Sequence, residues 1–164
     1  MTFSDKLRAR WRSADSLLCV GLDPDPARFP EALLGDEDRL FTFCRDIVDA
    51  TAPFACAFKP QIAYFAAHNG GESALQRLVA HINAVHPEVP VLLDAKRGDI
   101  GNTSKMYAKT FFEQYDVDAL TVAPYMGEDS VTPFLGYDGK WVVLLALTSN
   151  KGSHDFQLTA DAQG

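Results

Sequence analysis

The sequence contains no apolar run approaching the roughly 18 residues that a membrane span requires. It also has no basic run, because 15 lysines and arginines are outnumbered by 22 aspartates and glutamates, which gives a net charge of −7. An acidic chain without a basic cluster is a poor candidate for binding nucleic acid or anionic membranes. The N-terminal residues mix both charge signs and have no apolar core, unlike a signal peptide. We therefore expect a cytoplasmic protein that binds neither nucleic acid nor membrane.

Cysteine and histidine are also scarce. The three cysteines are odd in number, widely spaced and surrounded by apolar residues, so they predict free, buried thiols rather than disulfides. The four histidines are scattered and form no HxxxH pair, and no CxxC motif is present, so the sequence predicts no metal site. The apolar fraction of 47% is ordinary for one globular domain, which we expect to span residues 1–164.

Five short apolar segments alternate with segments of helical periodicity. The apolar segments, typical of parallel strands buried on both faces, span residues 17–22, 54–58, 89–93, 119–123 and 141–147. The sequence predicts an opening helix near residues 5–12, one capped by Asp36 and one from Glu72. A further helix is capped by Asn102 or Thr103 and carries Met106, Phe111 and Phe112, and a weaker one runs from Gly127 to Leu135. This alternation predicts a parallel sheet with right-handed crossovers.

The choice between the common parallel folds depends on the turns and on the length. No glycine-rich GxGxxG turn follows the first apolar segment, which argues against a Rossmann sheet. A (β/α)8 TIM barrel fits the alternation better, although such a barrel usually takes about 250 residues. We therefore predict an α/β chain that forms roughly the first five β/α units of a TIM barrel, truncated relative to the complete fold.

Ionisable residues stand at the C-terminal ends of three apolar segments, namely Asp23, Lys59 and the set Asp94, Lys96 and Asp99. In a β/α barrel the active site is built from these positions. Asp94 and Lys96 are two residues apart, so an extended chain points both side chains to the same face. Arg97 then points to the opposite face and is predicted to be a structural ion-pair partner.

A lysine flanked by carboxylates supports a particular chemistry. The neighbouring negative charge keeps the lysine protonated, which makes it a poor Schiff-base nucleophile. A fixed ammonium group is well suited to stabilise a developing carbanion and to donate a proton to it afterwards. A carboxylate beside it would repel a substrate carboxylate until that group left as CO₂. The charged set therefore suits a decarboxylation.

Residues 94–103, Asp-Ala-Lys-Arg-Gly-Asp-Ile-Gly-Asn-Thr, closely resemble the signature of the bacterial orotidine 5′-phosphate decarboxylases. Residues 20–26, Val-Gly-Leu-Asp-Pro-Asp-Pro, and residues 57–60, Ala-Phe-Lys-Pro, match the same family at the first two strands. The resemblance covers essentially the whole chain in register.

The resemblance implies a cofactor-free decarboxylation of orotidine 5′-phosphate to uridine 5′-phosphate, the last step of pyrimidine nucleotide synthesis. It makes Lys96 the cation that stabilises the carbanion at C6 of the pyrimidine and the donor that protonates it. Asp94 would lie against the leaving carboxylate. Lys59 would complete the charge chain and reach the ribose, and Asp23 would hydrogen-bond a ribose hydroxyl.

The resemblance also implies a homodimer with shared active sites. Asp99 would enter the neighbouring subunit's site together with Ile100 and Thr103. Ser149 aligns with a serine that contacts the pyrimidine ring, or its hydroxyl caps a turn. Family members continue through strands six to eight, which carry the phosphate-binding loop. We therefore expect the 164-residue chain alone to be weakly active or inactive.

Three other functions compete with this one. A sugar-phosphate decarboxylase of the same superfamily shares the Asp-x-Lys-x-x-Asp core and needs Mg²⁺, but the continuation Arg-Gly-Asp-Ile-Gly-Asn-Thr argues against it. A Schiff-base aldolase would use Lys59 or Lys96 as its nucleophile, which the flanking carboxylates disfavour. A fragment without catalytic activity would bind a nucleotide, or a partner subunit through its sheet edge.

Overall fold

Strands and helices alternate in the computed structural model, which describes residues 2–160. The helices are α1 (Phe3–Ala14), α2 (Arg39–Thr51), α3 (Ile62–Ala66), α4 (Gly71–Val85) and α5 (Gly101–Lys109). The strands are β1 (Cys19–Leu22), β2 (Ala57–Pro60), β3 (Leu92–Arg97), β4 (Ala119–Val122) and β5 (Trp141–Leu144). A π-helical turn, Thr110–Gln114, follows α5, and short 3₁₀ turns lie in several of the loops.

The five strands are parallel and follow one another in space in chain order. β1 pairs with β2, and β4 lies between β3 and β5. Isolated parallel bridges from Phe58 to Val91 and from Gln61 to Asp94 join β2 to β3. This order, with crossover helices between the strands, is that of consecutive units of a β/α barrel. The predicted partial TIM barrel is therefore confirmed.

Helices α2 and α4 cover the sheet with the apolar stripes that the sequence predicts. Cys44 and Val48 of α2 are buried, as are four residues of α4, Leu75, Leu78, Val79 and Ile82. They join one core with the inward residues of the strands, such as Phe58 of β2 and Leu120 of β4. Each such side chain contributes about 1.5 to 3 kcal/mol when it leaves water, so the helical stripes hold the sheet in place.

Several predicted helix boundaries are wrong. Asp36 does not cap α2, which begins at Arg39. Instead, the Asp36 carboxylate accepts a hydrogen bond of 2.7 Å from the Asp38 amide in the preceding turn. Helix α5 has Ile100 at its N-cap position rather than Asn102 or Thr103. The 127–135 segment forms two 3₁₀ turns, and Pro133, which has no amide hydrogen to donate, stands in the second of them.

Two side chains that were predicted to be buried are exposed. Met106 of α5 faces solvent, whereas Phe111 and Phe112 of the π-helical turn, predicted on the same stripe, are buried as expected. Cys19 is exposed at the start of β1, whereas Cys44 and Cys56 are buried free thiols as expected. Burial, together with the negative charge of Asp23, raises the pKa of the Cys44 thiol to about 12. None of the helices within residues 2–160 is long and apolar enough to cross a membrane.

A buried arginine joins α1 to the end of the sheet opposite the C-terminal ends of the strands. Arg10 donates from Nε to the Ala55 carbonyl at 2.8 Å and from Nη2 to the Ala52 carbonyl. Both acceptors lie in the segment that leads from α2 into β2, and both residues are buried. Arg10 therefore supplies hydrogen bonds that the end of α2 cannot make within the helix.

We predict that Arg10→Met lowers the free energy of unfolding by roughly 1 to 3 kcal/mol, because the buried Ala55 carbonyl loses its donor and the Ala52 carbonyl keeps only the 3.4 Å hydrogen bond from the Ala55 amide, while the aliphatic volume is kept. Urea denaturation followed by circular dichroism measures the change. Arg12→Met, at an exposed position of the same helix, is the matched control and should change stability by no more than about 0.5 kcal/mol. Equal stability of the two variants would contradict this role for Arg10.

Candidate active site

Strand β3 is interrupted by a bulge at the residues of the central motif. Its pairing with β4 runs from Leu93 opposite Leu120 to Arg97 opposite Val122, so three residues of β3 face Thr121 alone. Lys96 has a positive φ of 47°, which is uncommon for a residue other than glycine and costs on the order of 1 to 3 kcal/mol. The regular extended chain from which we predicted a common face for Asp94 and Lys96 is therefore absent, although their side chains do converge.

Thr121 holds this bulge in shape. Its hydroxyl oxygen accepts hydrogen bonds of 2.9 Å from the backbone amides of Ala95 and Lys96, which the bulge removes from regular strand pairing. The same hydroxyl donates to Oδ1 of Asp94 at 2.9 Å. A hydroxyl has one donor and two acceptor positions, so Thr121 uses all of them.

The Asp94 carboxylate lies at the centre of the site and accepts hydrogen bonds from four groups on three strands or their ends. Oδ1 contacts Nζ of Lys96 at 2.6 Å as well as the Thr121 hydroxyl. Oδ2 contacts Nζ of Lys59 at 3.4 Å and Nε2 of Gln61 at 3.0 Å. Every lone-pair direction of the carboxylate is therefore used within the protein.

These contacts decide the protonation state of Asp94. Burial alone would raise the pKa of this carboxyl, but hydrogen bonds from Lys96 and Thr121 and the positive charges of Lys96 and Lys59 outweigh burial and hold the pKa below its ordinary value. Asp94 is therefore ionised at neutral pH. One carboxylate between two ammonium groups leaves a local charge of +1 in a chain whose net charge is −7.

The two partners of the closest ion pair differ in their access to solvent. The side chain of Asp94 is 12% exposed, whereas that of Lys96 is 48% exposed. The ammonium group therefore faces the open end of the sheet while its counter-ion is fixed behind it. Such an arrangement can stabilise negative charge that develops on a bound molecule, and it can donate a proton to that molecule.

An uncharged cavity of about 560 Å³ lies at the C-terminal ends of β4 and β5. Its lining includes Tyr125, Leu145 and Phe156 and contains no charged side chain. Lys96 does not line this cavity. The charged groups and the uncharged walls thus belong to different strands at the same end of the sheet.

Within residues 2–160, the other predicted site residues form no ion pair with the Asp94 cluster. Asp23 is exposed just after β1, next to the end of β2, because the Gln61 amide donates to the Leu22 carbonyl at 3.1 Å. Ser149 is exposed in the loop after β5, where the hydroxyl that hydrogen-bonds within the turn belongs to Thr148. Within residues 2–160, neither Asp23 nor Ser149 hydrogen-bonds to Asp94, Lys96 or Lys59.

The loop after β3 carries Asp99, Ile100 and Thr103. The Ser104 hydroxyl fixes Asp99 through its backbone, accepting from the amide at 3.1 Å and donating to the carbonyl at 2.6 Å. The Asp99 carboxylate accepts from the Ile100 amide at 2.7 Å and forms no ion pair with a lysine of the described residues. Ile100 and Thr103 are exposed.

A close contact explains why glycine stands within this loop. A Cβ on Gly98 would lie 2.5 Å from the Ala123 carbonyl oxygen, a distance that a methyl group cannot take up without a backbone shift. The loop can therefore turn from β3 toward α5 past the end of β4 only with glycine at this position.

The prediction that Arg97 forms a structural ion pair is wrong within the described residues. Its guanidinium donates to the Ala95 carbonyl at 2.7 Å and lies 5.6 Å from the ring centre of Tyr107. The bulge turns the chain, so that the arginine reaches its own strand and the first helix after it instead of a carboxylate.

The sequence analysis missed Thr121 and Gln61. Thr121 is the only polar residue of β4, and Gln61 stands two residues after Lys59, on the same side of an extended chain. Both signals are visible in the sequence. Their meaning depends on the register between strands, which local periodicity does not contain.

The histidines are not all scattered as the sequence suggested. His81 and His86 both contact Oδ1 of Asp49 through Nε2, at 2.7 Å and 2.8 Å. His81 lies in α4 and His86 lies just beyond its end. The two histidines are five residues apart, which matches no helical metal-binding motif. The sequence analysis predicted no metal site from the spacing of the histidines alone, and that spacing does not show their shared contact with Asp49 on another helix.

A family model described as "Orotidine 5′-phosphate decarboxylase / HUMPS family" matches residues 16–164. The chain is 57% identical over 164 residues to the orotidine 5′-phosphate decarboxylase of Bordetella pertussis, covering 100% of the chain and 60% of that protein. It is 59% identical over 157 residues to that of Dechloromonas aromatica, covering 96% of the chain and 58% of the relative.

Solved structures of proteins named as OMP decarboxylase or UMP synthase are also similar to this chain. Leishmania donovani OMP decarboxylase superposes with a TM-score of 0.83 at 37% identity, over 99% of this chain and 60% of that one. Leishmania donovani UMP synthase does so with a TM-score of 0.83 at 40% identity, over 98% of this chain and 33% of that one. The chain spans about 60% of the length of the curated relatives it matches. It belongs to the orotidine 5′-phosphate decarboxylase / HUMPS family.

Proposed function

We propose that this chain carries the catalytic lysine of a decarboxylase that converts orotidine 5′-phosphate to uridine 5′-phosphate without a cofactor. The observation that carries the proposal is the exposed Lys96 ammonium, held 2.6 Å from a fixed, ionised Asp94 at the C-terminal end of β3. The names of the relatives at 57% and 59% identity support this substrate over the sugar phosphate of a Mg²⁺-dependent enzyme.

In the proposed reaction, the bond between C6 of the pyrimidine and its carboxylate breaks, and the electron pair stays on C6. Lys96 stabilises that pair electrostatically and then donates a proton to C6, while CO₂ leaves. Asp94 does not compete with C6 for the Lys96 proton, because four hydrogen-bond donors hold its carboxylate in the ionised form. Its charge would instead repel the substrate carboxylate, and departure of CO₂ removes that repulsion.

The remaining predicted residues would bind the rest of the nucleotide. Lys59, whose ammonium lies 3.4 Å from Asp94, would reach the ribose from β2, and Asp23 would accept a hydrogen bond from a ribose hydroxyl at the end of β1. Ser149 would contact the pyrimidine ring from the loop after β5. Its exposure and its lack of a hydrogen-bond partner within residues 2–160 leave the hydroxyl available for this contact.

We further propose that two copies form a homodimer with shared sites. The Asp99 carboxylate is half-buried in a fixed loop and does not reach the lysines of its own chain within the described residues. Ile100 presents an exposed aliphatic side chain beside it. These three features suit a segment that enters a partner's site together with Thr103. The unpaired thiols support a cytoplasmic location.

We predict that Lys96→Ala lowers kcat by at least about 10³-fold, because both the stabilising charge and the proton donor are lost. Conversion of orotidine 5′-phosphate is measured by chromatography. The assay uses both the purified chain and a version extended with the part of the Bordetella pertussis relative that the chain does not cover. Lys109→Ala, at an exposed position of α5, is the control and should retain activity.

Circular dichroism should show that the Lys96→Ala protein stays folded, since the lysine is half-exposed. Substantial residual kcat in the folded variant would exclude Lys96 as the proton donor. Binding of uridine 5′-phosphate without turnover in the extended wild-type protein would favour the alternative of a nucleotide-binding chain without catalytic activity. Loss of turnover in EDTA, restored by Mg²⁺, would favour the sugar-phosphate type of enzyme.

We predict that Thr121→Val, a nearly isosteric change, lowers kcat by up to about 10²-fold with little change in KM, because Asp94 and Lys96 lose their positioning group. Two buried amides would also lose their acceptor, which costs roughly 1 to 3 kcal/mol of stability. Thr121→Ser keeps the hydroxyl and should restore kcat. A valine variant that is less stable but has unchanged kcat would limit Thr121 to a structural role.

Mixing tests the shared site. Random exchange of Asp99→Ala and Lys96→Ala subunits gives half mixed dimers, each with one intact site, so roughly a quarter of the wild-type activity should return. Each variant is inactive alone in the same extended protein. No recovery under conditions where exchange of labelled subunits is observed would show that Asp99 acts within its own chain.

A further inference from the structure

A cluster of three metal-ligating side chains lies on the helical layer, away from the Asp94 site. The cluster consists of Asp49, His81 and His86, whose ligand atoms all lie within 4.8 Å of one another. Among residues 2–160 it is the one group of three or more such side chains that converge this closely. Both imidazoles point Nε2 at the same carboxylate oxygen, at 2.7 Å and 2.8 Å.

Rigid elements carry all three side chains. Asp49 lies in the last turn of α2, His81 lies one turn before the end of α4, and His86 is the residue that ends α4. The two helices pack together through buried residues of the core, including Val48 of α2 and Ile82 of α4. The His86 backbone is itself fixed, since its amide donates to the Ile82 carbonyl at 2.8 Å. The ligands are therefore preorganised by packing that does not depend on them.

The cluster lies at the end of the barrel opposite the proposed active site. Helix α2 leads into the start of β2, and α4 leads into the start of β3, so the C-terminal ends of these helices lie near the N-terminal ends of the strands. Lys96 and Asp94 stand near the C-terminal end of β3. In β/α barrels the N-terminal end of the strands serves stability rather than catalysis.

The donor set fits a borderline divalent transition ion. Two imidazole nitrogens and one carboxylate oxygen are ligands that Zn²⁺ accepts at about 2.0 to 2.2 Å, with water in the fourth position. The histidine side chains are 19% and 17% exposed and the Asp49 side chain 43%, so an ion can enter and keep a water ligand. In a tetrahedral zinc site, neighbouring ligand atoms lie about 3.3 Å apart. Oδ1 of Asp49 lies 2.7 Å and 2.8 Å from the two Nε2 atoms, so it must move about half an ångström away from each of them. The Asp49 side chain is exposed enough to rotate by that amount.

The nearby charged groups leave the cluster available. Arg45, one turn before Asp49, is held by Asp46 at 2.6 Å, and Arg77, one turn before His81, pairs with Asp38. Within residues 2–160, neither arginine forms an ion pair with Asp49.

We propose that Asp49, His81 and His86 form a binding site for one divalent transition ion, with zinc as the matching ion, that clamps α2 to α4 at the N-terminal end of the strands. The ion would bind three protein ligands and at least one water. Coordination would replace the two hydrogen bonds to Asp49 by bonds from Nε2 of each imidazole to the ion. This site is independent of the proposed decarboxylation, since no ligand touches the Asp94 cluster.

The test is calorimetric titration of the chelator-treated chain with Zn²⁺, in a Cys19→Ser background that removes the exposed thiol. We expect one equivalent of zinc to bind at pH 7.5 and the melting temperature to rise with free zinc. His81→Gln and His86→Gln should each lower the affinity by at least about tenfold. His68→Gln and His154→Gln, at histidines outside the cluster, are the matched controls and should bind as the parent does.

A second measurement needs no variant. Co²⁺, which takes the same ligands, should broaden NMR signals around residues 49, 81 and 86 and leave those around Asp94 unchanged. Failure to bind zinc at millimolar free ion would overturn the proposal, and so would broadening centred elsewhere or binding that both cluster variants retain in full. The cluster would then be a hydrogen-bonded pair of histidines on one carboxylate and no metal site.

Discussion

The ionised Asp94 carboxylate is the constraint on which the arrangement of this end of the sheet depends. A buried negative charge is costly unless hydrogen-bond donors surround it. The donors come from the end of β2, from β3 itself and from β4, so the carboxylate fixes three neighbouring strands relative to one another. Removing any one donor would leave a charge that the remaining structure must accommodate.

The same carboxylate accounts for the irregular backbone of β3. A regular strand would place the Cα atoms of residues 94 and 96 about 6 to 7 Å apart along one face. In the bulge Lys96 has a positive φ, and its ammonium lies 2.6 Å from Oδ1 of Asp94. The strain of about 1 to 3 kcal/mol is offset by Thr121, which satisfies both amides that the bulge frees. Local strain that neighbouring groups hold in place is typical of functional positions.

The sequence predicted what depends on local pattern. Alternating apolar and helical segments yielded five parallel strands, and charges at three strand ends located the mouth of the barrel. Features that depend on the register between strands could not be predicted, because the periodicity of one strand does not show which residue of the neighbouring strand lies opposite a given position. Thr121 opposite the bulge, Gln61 beside Lys59 and the turned-away Arg97 are of this kind. The contact of His81 and His86 with Asp49 was not predicted for a related reason, since Asp49 lies on another helix.

The two ends of the partial barrel differ in what their polar groups can do. At the N-terminal end of the strands, Arg10 and the Asp49 cluster join helix ends to one another through hydrogen bonds. At the C-terminal end, Asp94 is fully hydrogen-bonded but Lys96 is not, because among residues 2–160 its ammonium has one carboxylate partner and an open side. A half-exposed ammonium group with an open side can bind negative charge on a ligand. Lys96 therefore distinguishes the C-terminal end of the strands from the N-terminal end, where the polar groups join helix ends.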